Sequence, residues 1–457
     1  MEACEPVVFF YYLDLDSEEM QILERKELCI MKRFALKGQI CYSSDLGEIK
    51  VMEQGYLLCE DGVSAGVCQE LPESWREVEV RDYGNRIMIP GFTDLHMHAP
   101  QYSFRGMEMN LELLEWLNTQ TFPEEARYAD LDYAERAYTI FAEDMKRGAT
   151  TRACIFATLH LPATKLLMEK LEQTGLKTMV GKVNMDRNSP DILREQDANR
   201  SAEDTVIWLE ENGDCYQNVK PILSPRFIPS CTDELMTRLK QIQAGYHLPV
   251  QSHLSENRSE INWVQELCPE SEFYGDAYDR FGLFGGEDCP TIMAHCVHSA
   301  AAEQNRMKER GVWIAHCPES NMNLSSGIAP VRDFLNKGIR VGLGSDIAGG
   351  SSASIFRVMT DAIQVSKLRW CLVDERLKPL TFEEAFYLAT KGGGSFFGKV
   401  GSFEPGYELD AVVLDDTELK CPNSLTVIQR LERICYLSDE RQVVAKYVAG
   451  KEVFSLN

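Results

Sequence analysis

The sequence predicts an α/β fold: a (β/α)8 TIM barrel with a small β-sandwich domain built from both chain ends. From Pro90 onward, short apolar segments alternate with amphipathic helical segments, and eight such strand segments span about 300 residues. No GxGxxG motif follows a strand, which disfavours the alternative of a doubly wound open sheet. A parallel barrel is therefore the expected catalytic scaffold.

The predicted barrel strands follow one another along the chain. The first is the apolar run Ile87–Ile89, directly ahead of a histidine pair, and the others lie at 150–157, 177–184, 219–225, 248–253, 291–295, 312–316 and 340–346. Helix starts between and after them are indicated by Ser201–Asp204, which resembles a capping box, and by the full capping box Thr381–Glu384.

The two ends of the chain have a different pattern. Alternating apolar and polar residues, separated by Gly, Ser and Asp, occur near 38–42 and 55–59 and again near 410–414 and 442–448. We therefore expect residues 1–89 with 402–457 to form one composite β-sandwich domain, and residues 90–401 to form the barrel. The apolar run Val7–Leu13, followed at once by acidic residues, suits a strand and a turn.

Composition restricts the function classes. The 457 residues contain 47 Lys and Arg against 71 Asp and Glu, a net charge of −24, which opposes a nucleic-acid partner but not a small purine substrate. The 15 cysteines are scattered and odd in number, as expected for reduced thiols in a cytoplasmic protein. Val7–Leu13 is too short to span a bilayer and lacks a basic leader, so we expect no membrane partner.

Histidines and one aspartate mark the ends of predicted strands. His96 and His98, in PGFTDLHMHA, share one side of an extended strand; His253 ends the fifth strand, and Asp346 ends the eighth. Strand C-termini face the catalytic mouth of such a barrel. Each histidine alone is explained as a core or loop residue, but their shared placement predicts a mononuclear Zn²⁺ or Fe²⁺ site with an open position for water. Metal coordination can lower the pKa of such a water to ~7.

Further residues at the same rim suggest catalysis and binding. His295 ends the sixth strand, and Glu256, three residues after His253, could move protons as the non-ligand Glu of zinc deaminases does. The alternative for Glu256 is an acid that only stabilises a helix N-terminus, and the spacing does not separate the two. His316 ends the seventh strand and is either a supporting wall or structural filler.

Three residues could bind a heterocycle. Arg226 follows the fourth strand, and its guanidinium suits a ring carbonyl beside a nitrogen acceptor; a rim salt bridge is the alternative. Gln101 could add amide pairing and Phe227 ring stacking. Neither a PCxxC segment nor a GxxxxGK[ST] segment occurs, so a cytidine-deaminase zinc site and a P-loop are unsupported.

Several of these segments together resemble known proteins. Those at 90–98, 251–256, 293–295 and 342–346 resemble the metal-dependent amidohydrolase superfamily. Those at 98–104, 114–117, 121–123, 224–227, 253–258 and 316–321 resemble its guanine deaminases, and the match covers most of residues 33–455. The first ~30 residues exceed what the family leads us to expect. Arg105 stands where a smaller residue is expected; it could reshape the rim or face solvent.

The resemblance implies a set of roles. One Zn²⁺ per chain would be held by His96, His98, His253 and Asp346, with Fe²⁺ as the other option. The purine would be bound by Gln101, Arg226, Phe227 and Glu256. Asp346 would take a proton from the attacking water, Glu256 would shuttle protons, and His295 would contact the water or the substrate.

The implied reaction is conversion of guanine to xanthine and ammonia by a cytoplasmic homodimer. Two alternatives remain at this point. One is a deaminase of a related amino-heterocycle such as 8-oxoguanine or a pterin. The other is a metal-free scaffold protein that has kept the barrel, which the presence of every proposed ligand disfavours.

Overall fold

The structure is a computed structural model that describes residues 33–456. The strand expected at 7–13 lies outside the described residues. Four strands come first in the chain: β1 (Arg33–Asp45), β2 (Glu48–Glu60), β3 (Val63–Cys68) and β4 (Glu79–Pro90). Ten follow: β5 (Phe92–His98), β6 (Thr150–Phe156), β7 (Lys177–Gly181), β8 (Val183–Asn184), β9 (Val219–Pro221), β10 (Ser224–Pro225), β11 (Val250–Leu254), β12 (Thr291–His295), β13 (Trp313–His316) and β14 (Arg340–Leu343). The last three are β15 (Ala411–Leu414), β16 (Val443–Val448) and β17 (Lys451–Ser455).

Fourteen α-helices connect or follow these strands within the described range. They are α1 (Leu113–Trp116), α2 (Phe122–Ala126), α3 (Leu131–Arg147), α4 (Leu161–Thr174), α5 (Ala198–Asn212), α6 (Asp233–Tyr246), α7 (Arg258–Leu267), α8 (Tyr274–Asp279), α9 (Ala301–Arg310), α10 (Pro318–Asn323), α11 (Val331–Asn336), α12 (Ile355–Leu372), α13 (Phe382–Tyr387) and α14 (Val427–Leu437). The Thr381–Glu384 capping box is confirmed at the start of α13. The one expected at Ser201–Asp204 is wrong, because α5 begins earlier and Asp197 caps it.

The two chain ends meet in one seven-stranded sheet of order β17-β16-β15-β4-β1-β2-β3. β4 joins them, since it pairs in parallel with β1 and antiparallel with β15. The sheet curves around its own core, and Phe34 on β1 stacks on Tyr447 of β16 with ring centroids 5.9 Å apart. Both ends therefore share a sheet as expected, but the described residues do not divide into the two separate sheets of a sandwich.

Eight longer parallel strands follow one another in chain order. They form two four-stranded sheets, β5-β6-β7-β9 and β11-β12-β13-β14. A bridge between Leu223 and Val250 links the first sheet to the second. At the other edge, the Asp346 N–H donates to the His96 carbonyl at 2.8 Å, and the His98 N–H donates to the Ile347 carbonyl at 3.1 Å. The arrangement is a mixed α/β fold of the TIM-barrel type.

One predicted barrel strand belongs to the other sheet. Ile87–Ile89 belongs to β4 of the seven-stranded sheet, and the histidine pair lies on the separate strand β5. Pro90 has no N–H to continue a ladder, and Gly91 lies so close to Thr151 that a Cβ would come within 2.2 Å of its Cγ2. The chain therefore changes sheets between these residues. The other seven predicted segments each overlap an observed strand.

The parallel strands are buried on both sides, as helices on their outer faces require. All seven residues of β5 and all seven of β6 are buried. Within residues 33–456, every helix is too short or too polar to cross a bilayer.

Candidate functional site

The predicted histidines and aspartate converge at the C-terminal ends of the strands. His96 and His98 come from β5, His253 from β11, His295 is the last residue of β12, and Asp346 follows β14. Ligand atoms of His96, His98 and His253 all lie within 4.8 Å of one another, as do those of His96, His295 and Asp346. Residues 250 positions apart in sequence therefore share one buried cluster.

The distances within the cluster are short. The Nε2 atoms of His98 and His253 are 3.2 Å apart. Oδ1 of Asp346 lies 3.1 Å from Nε2 of His96 and 3.5 Å from Nε2 of His98. Imidazole nitrogens and a carboxylate oxygen at these distances are a donor set suited to zinc.

The cluster fits a cation better than it fits the core. Nδ1 of His96 is buried without a hydrogen-bond partner among the described residues, and Nε2 lies against the Asp346 carboxylate. Burial and the neighbouring imidazoles hold the pKa of His98 and His253 well below the usual range, so both rings are neutral. Burial alone would raise the pKa of Asp346, but the imidazoles of His96 and His295 hold it well below the usual range. Neutral rings and an ionised carboxylate are the protonation states that a divalent metal requires.

Neighbouring groups orient two of the rings. Nδ1 of His253 donates to the Arg226 carbonyl at 2.6 Å, so its Nε2 is free to act as a ligand. Nδ1 of His295 donates to Oδ1 of Asn321 at 2.9 Å. Nε2 of His295 then lies 3.4 Å from Oε2 of Glu256 and 3.6 Å from Oδ2 of Asp346.

Left-handed backbone conformations surround the cluster. Ser255, His295, Cys296 and Asp346 all have positive φ, between 47° and 72°. Such conformations are unfavourable for residues other than glycine and persist where the surrounding structure holds them. They turn the chain sharply at three strand ends, which is where the candidate site lies.

A pocket of about 420 Å³ opens onto the cluster. Every predicted site residue except His96, which lies beneath, lines it; the lining is His98, Gln101, Leu113, Trp116, Leu117, Arg226, Phe227, His253, Glu256, Glu260, His295, Leu324 and Asp346. The lining combines the metal-type donors, the polar side chains of Arg226 and Gln101, and apolar side chains such as Leu113, Trp116 and Leu117. This combination is typical of a small-molecule site.

Glu256 is a buried carboxyl group between the cluster and the pocket. Its Oε1 accepts from the Ser326 hydroxyl at 3.2 Å. Burial, and next the Asp346 carboxylate, raise its pKa well above the usual range, which favours the protonated acid. A protonated acid facing a pocket can donate to a bound molecule.

Glu256 is not the residue that caps the helix after it. Helix α7 is capped by Asn257, whose Oδ1 accepts from the Ser259 N–H at 2.8 Å. Glu260 completes that capping box and accepts from the Glu256 N–H itself. The side chain of Glu256 is therefore not used by the helix and is directed to the pocket.

Arg226 and Gln101 both contact one buried carboxylate. Both contact Glu125, which accepts from Nη1 of Arg226 at 2.5 Å and from Nε2 of Gln101 at 2.8 Å. Arg226 therefore does make a salt bridge, but a buried one rather than one at the rim. Phe227 lines the pocket as expected, with its ring centroid 6.2 Å from that of Trp263.

Two residues of uncertain role lie away from the pocket. His316 is buried, and both of its ring nitrogens lack hydrogen-bond partners among residues 33–456. It is not one of the described residues that line the pocket. Arg105 is half-buried, and its guanidinium stacks 3.7 Å from the Tyr102 ring centroid and donates to the Tyr102 carbonyl. It neither narrows the pocket nor simply faces solvent.

Sequence reasoning did not find Glu125, Asn321 and Ser326. Glu125 follows a TFP segment that marks the resemblance, and Asn321 ends another such segment, so both lay beside residues already singled out. Ser326 had no signal of its own. All three act through other side chains, and their partners are distant in the chain.

Comparison with known proteins places the chain in a family. The amidohydrolase family model matches residues 87–453. Guanine deaminase from Dictyostelium discoideum is 37% identical over 450 residues, covering 93% of this chain and 98% of its own length. The human guanine deaminase is 36% identical, covering 92% of each chain.

A solved structure agrees with these relatives. The guanine deaminase from C. acetobutylicum, determined with guanine bound in its active site, superimposes with a TM-score of 0.90 and 46% sequence identity, covering 92% of this chain and all of the other. The chain thus belongs to the amidohydrolase family and, within it, to the guanine deaminases.

Proposed function

We propose that this protein hydrolyses guanine to xanthine and ammonia. The observation that carries the proposal is one pocket lined by the histidine–aspartate cluster, by the buried Glu256, whose pKa is raised, and by the Arg226–Gln101 pair. Hydrolysis needs the cluster and the acid Glu256, and the Arg226–Gln101 pair suits recognition of a purine carbonyl. The relatives named guanine deaminase, one of them with guanine bound, support the same substrate.

The proposed ligands of one Zn²⁺ per chain are His96, His98, His253 and Asp346; Fe²⁺ would accept the same donors. When bound, the metal would supply a Lewis acid that brings the pKa of a water molecule to about 7. The support is the lowered pKa of His98 and His253 and the short distances between the donors.

The purine would be oriented by polar and aromatic side chains of the pocket. Arg226 and Gln101 would donate to the 6-carbonyl and to N7, the acceptor nitrogen on the same edge of the purine, and Phe227 would pack against the ring. This orientation directs C2 and its amino group toward Asp346 and Glu256. Apolar walls from Leu113, Trp116 and Leu117 would exclude bulk water.

Proton transfers would then be divided between two carboxyl groups. Asp346 would accept a proton from the attacking water while the water oxygen bonds to C2. Glu256 would give its proton to N3, the ring nitrogen next to C2. Protons returned through Glu256 would go to the exocyclic amine, the C2–N bond would break, and ammonia would leave xanthine. His295, held by Asn321, would contact the water or the substrate through Nε2.

The architecture extends this proposal. We propose that the eight parallel strands close into a (β/α)8 barrel over residues 90–401. The support is the pair of backbone hydrogen bonds between β5 and the segment after β14, from Asp346 to His96 and from His98 to Ile347. The curved sheet would be a sandwich-like composite domain, 1–89 with 402–457, supported by the Phe34–Tyr447 stacking across it. We also propose a cytoplasmic homodimer without nucleic-acid or membrane partners. Light scattering of the purified protein tests the dimer.

The deciding experiment is incubation of the purified protein with guanine, with xanthine and ammonia measured separately. We expect equal amounts of both products, and loss of both after treatment with a chelator. Restoration by Zn²⁺ or by Fe²⁺ identifies the effective metal. Competition between guanine and 8-oxoguanine or a pterin tests the substrate, and faster turnover of either competitor would contradict the proposal.

A further inference from the structure

A buried carboxylate lies behind the substrate-recognition end of the pocket. Glu125 belongs to helix α2 and is 1% exposed. It does not line the pocket, whereas its two partners, Gln101 and Arg226, do. Glu125 can therefore influence a bound purine only through these two side chains.

Arg226 depends on Glu125 for its charge balance. The guanidinium is 3% exposed, and an unpaired cation at such a depth is costly. Glu125 supplies the counter-charge through Nη1 at 2.5 Å. Phe122, one turn earlier on the same helix, places its ring 5.0 Å from the guanidinium carbon. Two residues of helix α2 thus contact the Arg226 guanidinium. Glu125 accepts only from Nη1, so it does not use the other N–H groups.

Glu125 and the Ala348 N–H together decide which way the Gln101 amide points. A glutamine amide can be turned by 180°, which exchanges its donor and acceptor ends. Here Oε1 accepts from the Ala348 N–H at 3.0 Å, a group that can only donate. Nε2 donates to Glu125 at 2.8 Å, a carboxylate that can only accept. Both ends are therefore determined, and the second N–H of the amide remains available as a donor.

The combined effect is an end of the pocket that presents N–H donors from both residues. Such an end matches a carbonyl oxygen beside a ring nitrogen acceptor and does not match a purine without that oxygen. We propose that Glu125 is a positioning residue that sets the specificity of the pocket for a 6-carbonyl purine. This inference rests on the proposed function, because it assumes that the purine carbonyl meets Arg226 and Gln101.

The test compares two non-reactive probes on the zinc-loaded protein and on the Glu125→Gln variant. Hypoxanthine keeps the 6-carbonyl but has no 2-amino group to lose, and unsubstituted purine lacks both groups. Calorimetry of each probe measures the contribution of the carbonyl directly. We expect the dissociation constant of hypoxanthine to rise roughly 10- to 100-fold in the variant, the effect of one hydrogen bond to a charged group. That of purine should change much less.

Steady-state kinetics with guanine provide a second measurement. The KM of Glu125→Gln should rise with little change in kcat, since the residue is remote from the proton transfers. The matched control is Glu115→Gln, an exposed acid on helix α1, which should leave both probes and KM unchanged. Glu125→Asp keeps the charge with a shorter reach, and we expect an intermediate loss of hypoxanthine affinity.

Two outcomes would overturn the inference. Equal weakening of hypoxanthine and purine would show a merely structural role, and unchanged binding of both would show no role. If Glu125→Gln does not fold, the Glu125→Asp comparison applies the same criterion. Failure of the wild-type protein to form xanthine would reject the proposed function separately, because probe binding does not depend on turnover.

Discussion

The Nδ1 atom of His295 lies 2.9 Å from Oδ1 of Asn321, and the Asn321 carbonyl accepts hydrogen bonds from the Ser326 and Gly327 N–H groups. One asparagine thus connects the ring that faces Glu256 with the segment whose Ser326 hydroxyl also contacts Glu256. The two parts of the proposed proton-transfer apparatus share a single support.

Asn321→Ala should reduce kcat while metal content stays at the wild-type level. The substitution frees His295 to rotate but keeps the backbone carbonyl that holds Ser326. Removal of a partner that orients an active-site histidine typically costs about 10–100-fold. Met322→Ala, an exposed neighbour on helix α10, is the matched control. Unchanged kcat in Asn321→Ala would show that the ring orientation is held by other contacts.

Glu256→Gln should retain the fold and the bound metal but lose most turnover. The amide has the shape of the acid and can still accept from Ser326, but it cannot deliver a proton. Loss of a general acid or base typically costs about 10²–10⁴-fold in rate. Guanine turnover, metal content and the unfolding temperature, measured on one preparation, distinguish a loss of catalysis from a loss of metal or of fold. Activity close to that of the wild-type protein would assign the proton transfers to another group.

The raised pKa of Glu256 predicts an alkaline limit to activity. The protonated acid is needed in the free enzyme, so kcat/KM should fall as the pH rises through this pKa. The Ser326 hydrogen bond lowers that pKa, so Ser326→Ala should move the alkaline limb to higher pH. The pH profiles of the two proteins provide the comparison. A limb that moved to lower pH, or that stayed in place, would mean that a different group titrates.

Lys446 predicts a dependence of stability on pH. It is fully buried on β16, donates to the Met145 and Thr150 carbonyls, and burial lowers its pKa from 10.5 to about 7. Between these two values the unfolded chain binds more protons than the folded one. The free energy of unfolding should therefore gain up to about 1.4 kcal/mol per pH unit from this residue.

Urea unfolding of the wild-type protein and Lys446→Met from pH 7 to pH 9.5 isolates this contribution. The difference between the two free energies should change in favour of the wild-type protein as the pH rises, because the penalty of a buried ammonium is relieved. Lys451→Met, on the exposed neighbouring strand, serves as the control. A difference independent of pH would mean that Lys446 keeps its proton in the folded protein.

The amino-acid sequence was sufficient for seven of the eight barrel strand positions and for most of the side chains that meet at their ends. Apolar segments that end at His253 and His295 identify two of these positions, because parallel strands in a barrel all end at one face. The sequence failed at Ile87–Ile89, where local apolarity does not reveal which sheet a strand joins. That choice is made by pairing with β15, more than 300 residues later.

Only the tertiary structure decided how the site residues act. The sequence left Glu256 open between a catalytic acid and an acid that stabilises a helix N-terminus; the structure shows that Asn257 and Glu260, and not Glu256, cap helix α7. It left Arg226 open between binding and a salt bridge, and the contact with Glu125 makes it a buried pair behind a pocket. Local patterns encode strands, helices and turns, because these depend on neighbouring residues. Charge partners, ring orientations and pKa values depend on groups that meet only after folding, and no local pattern contains them.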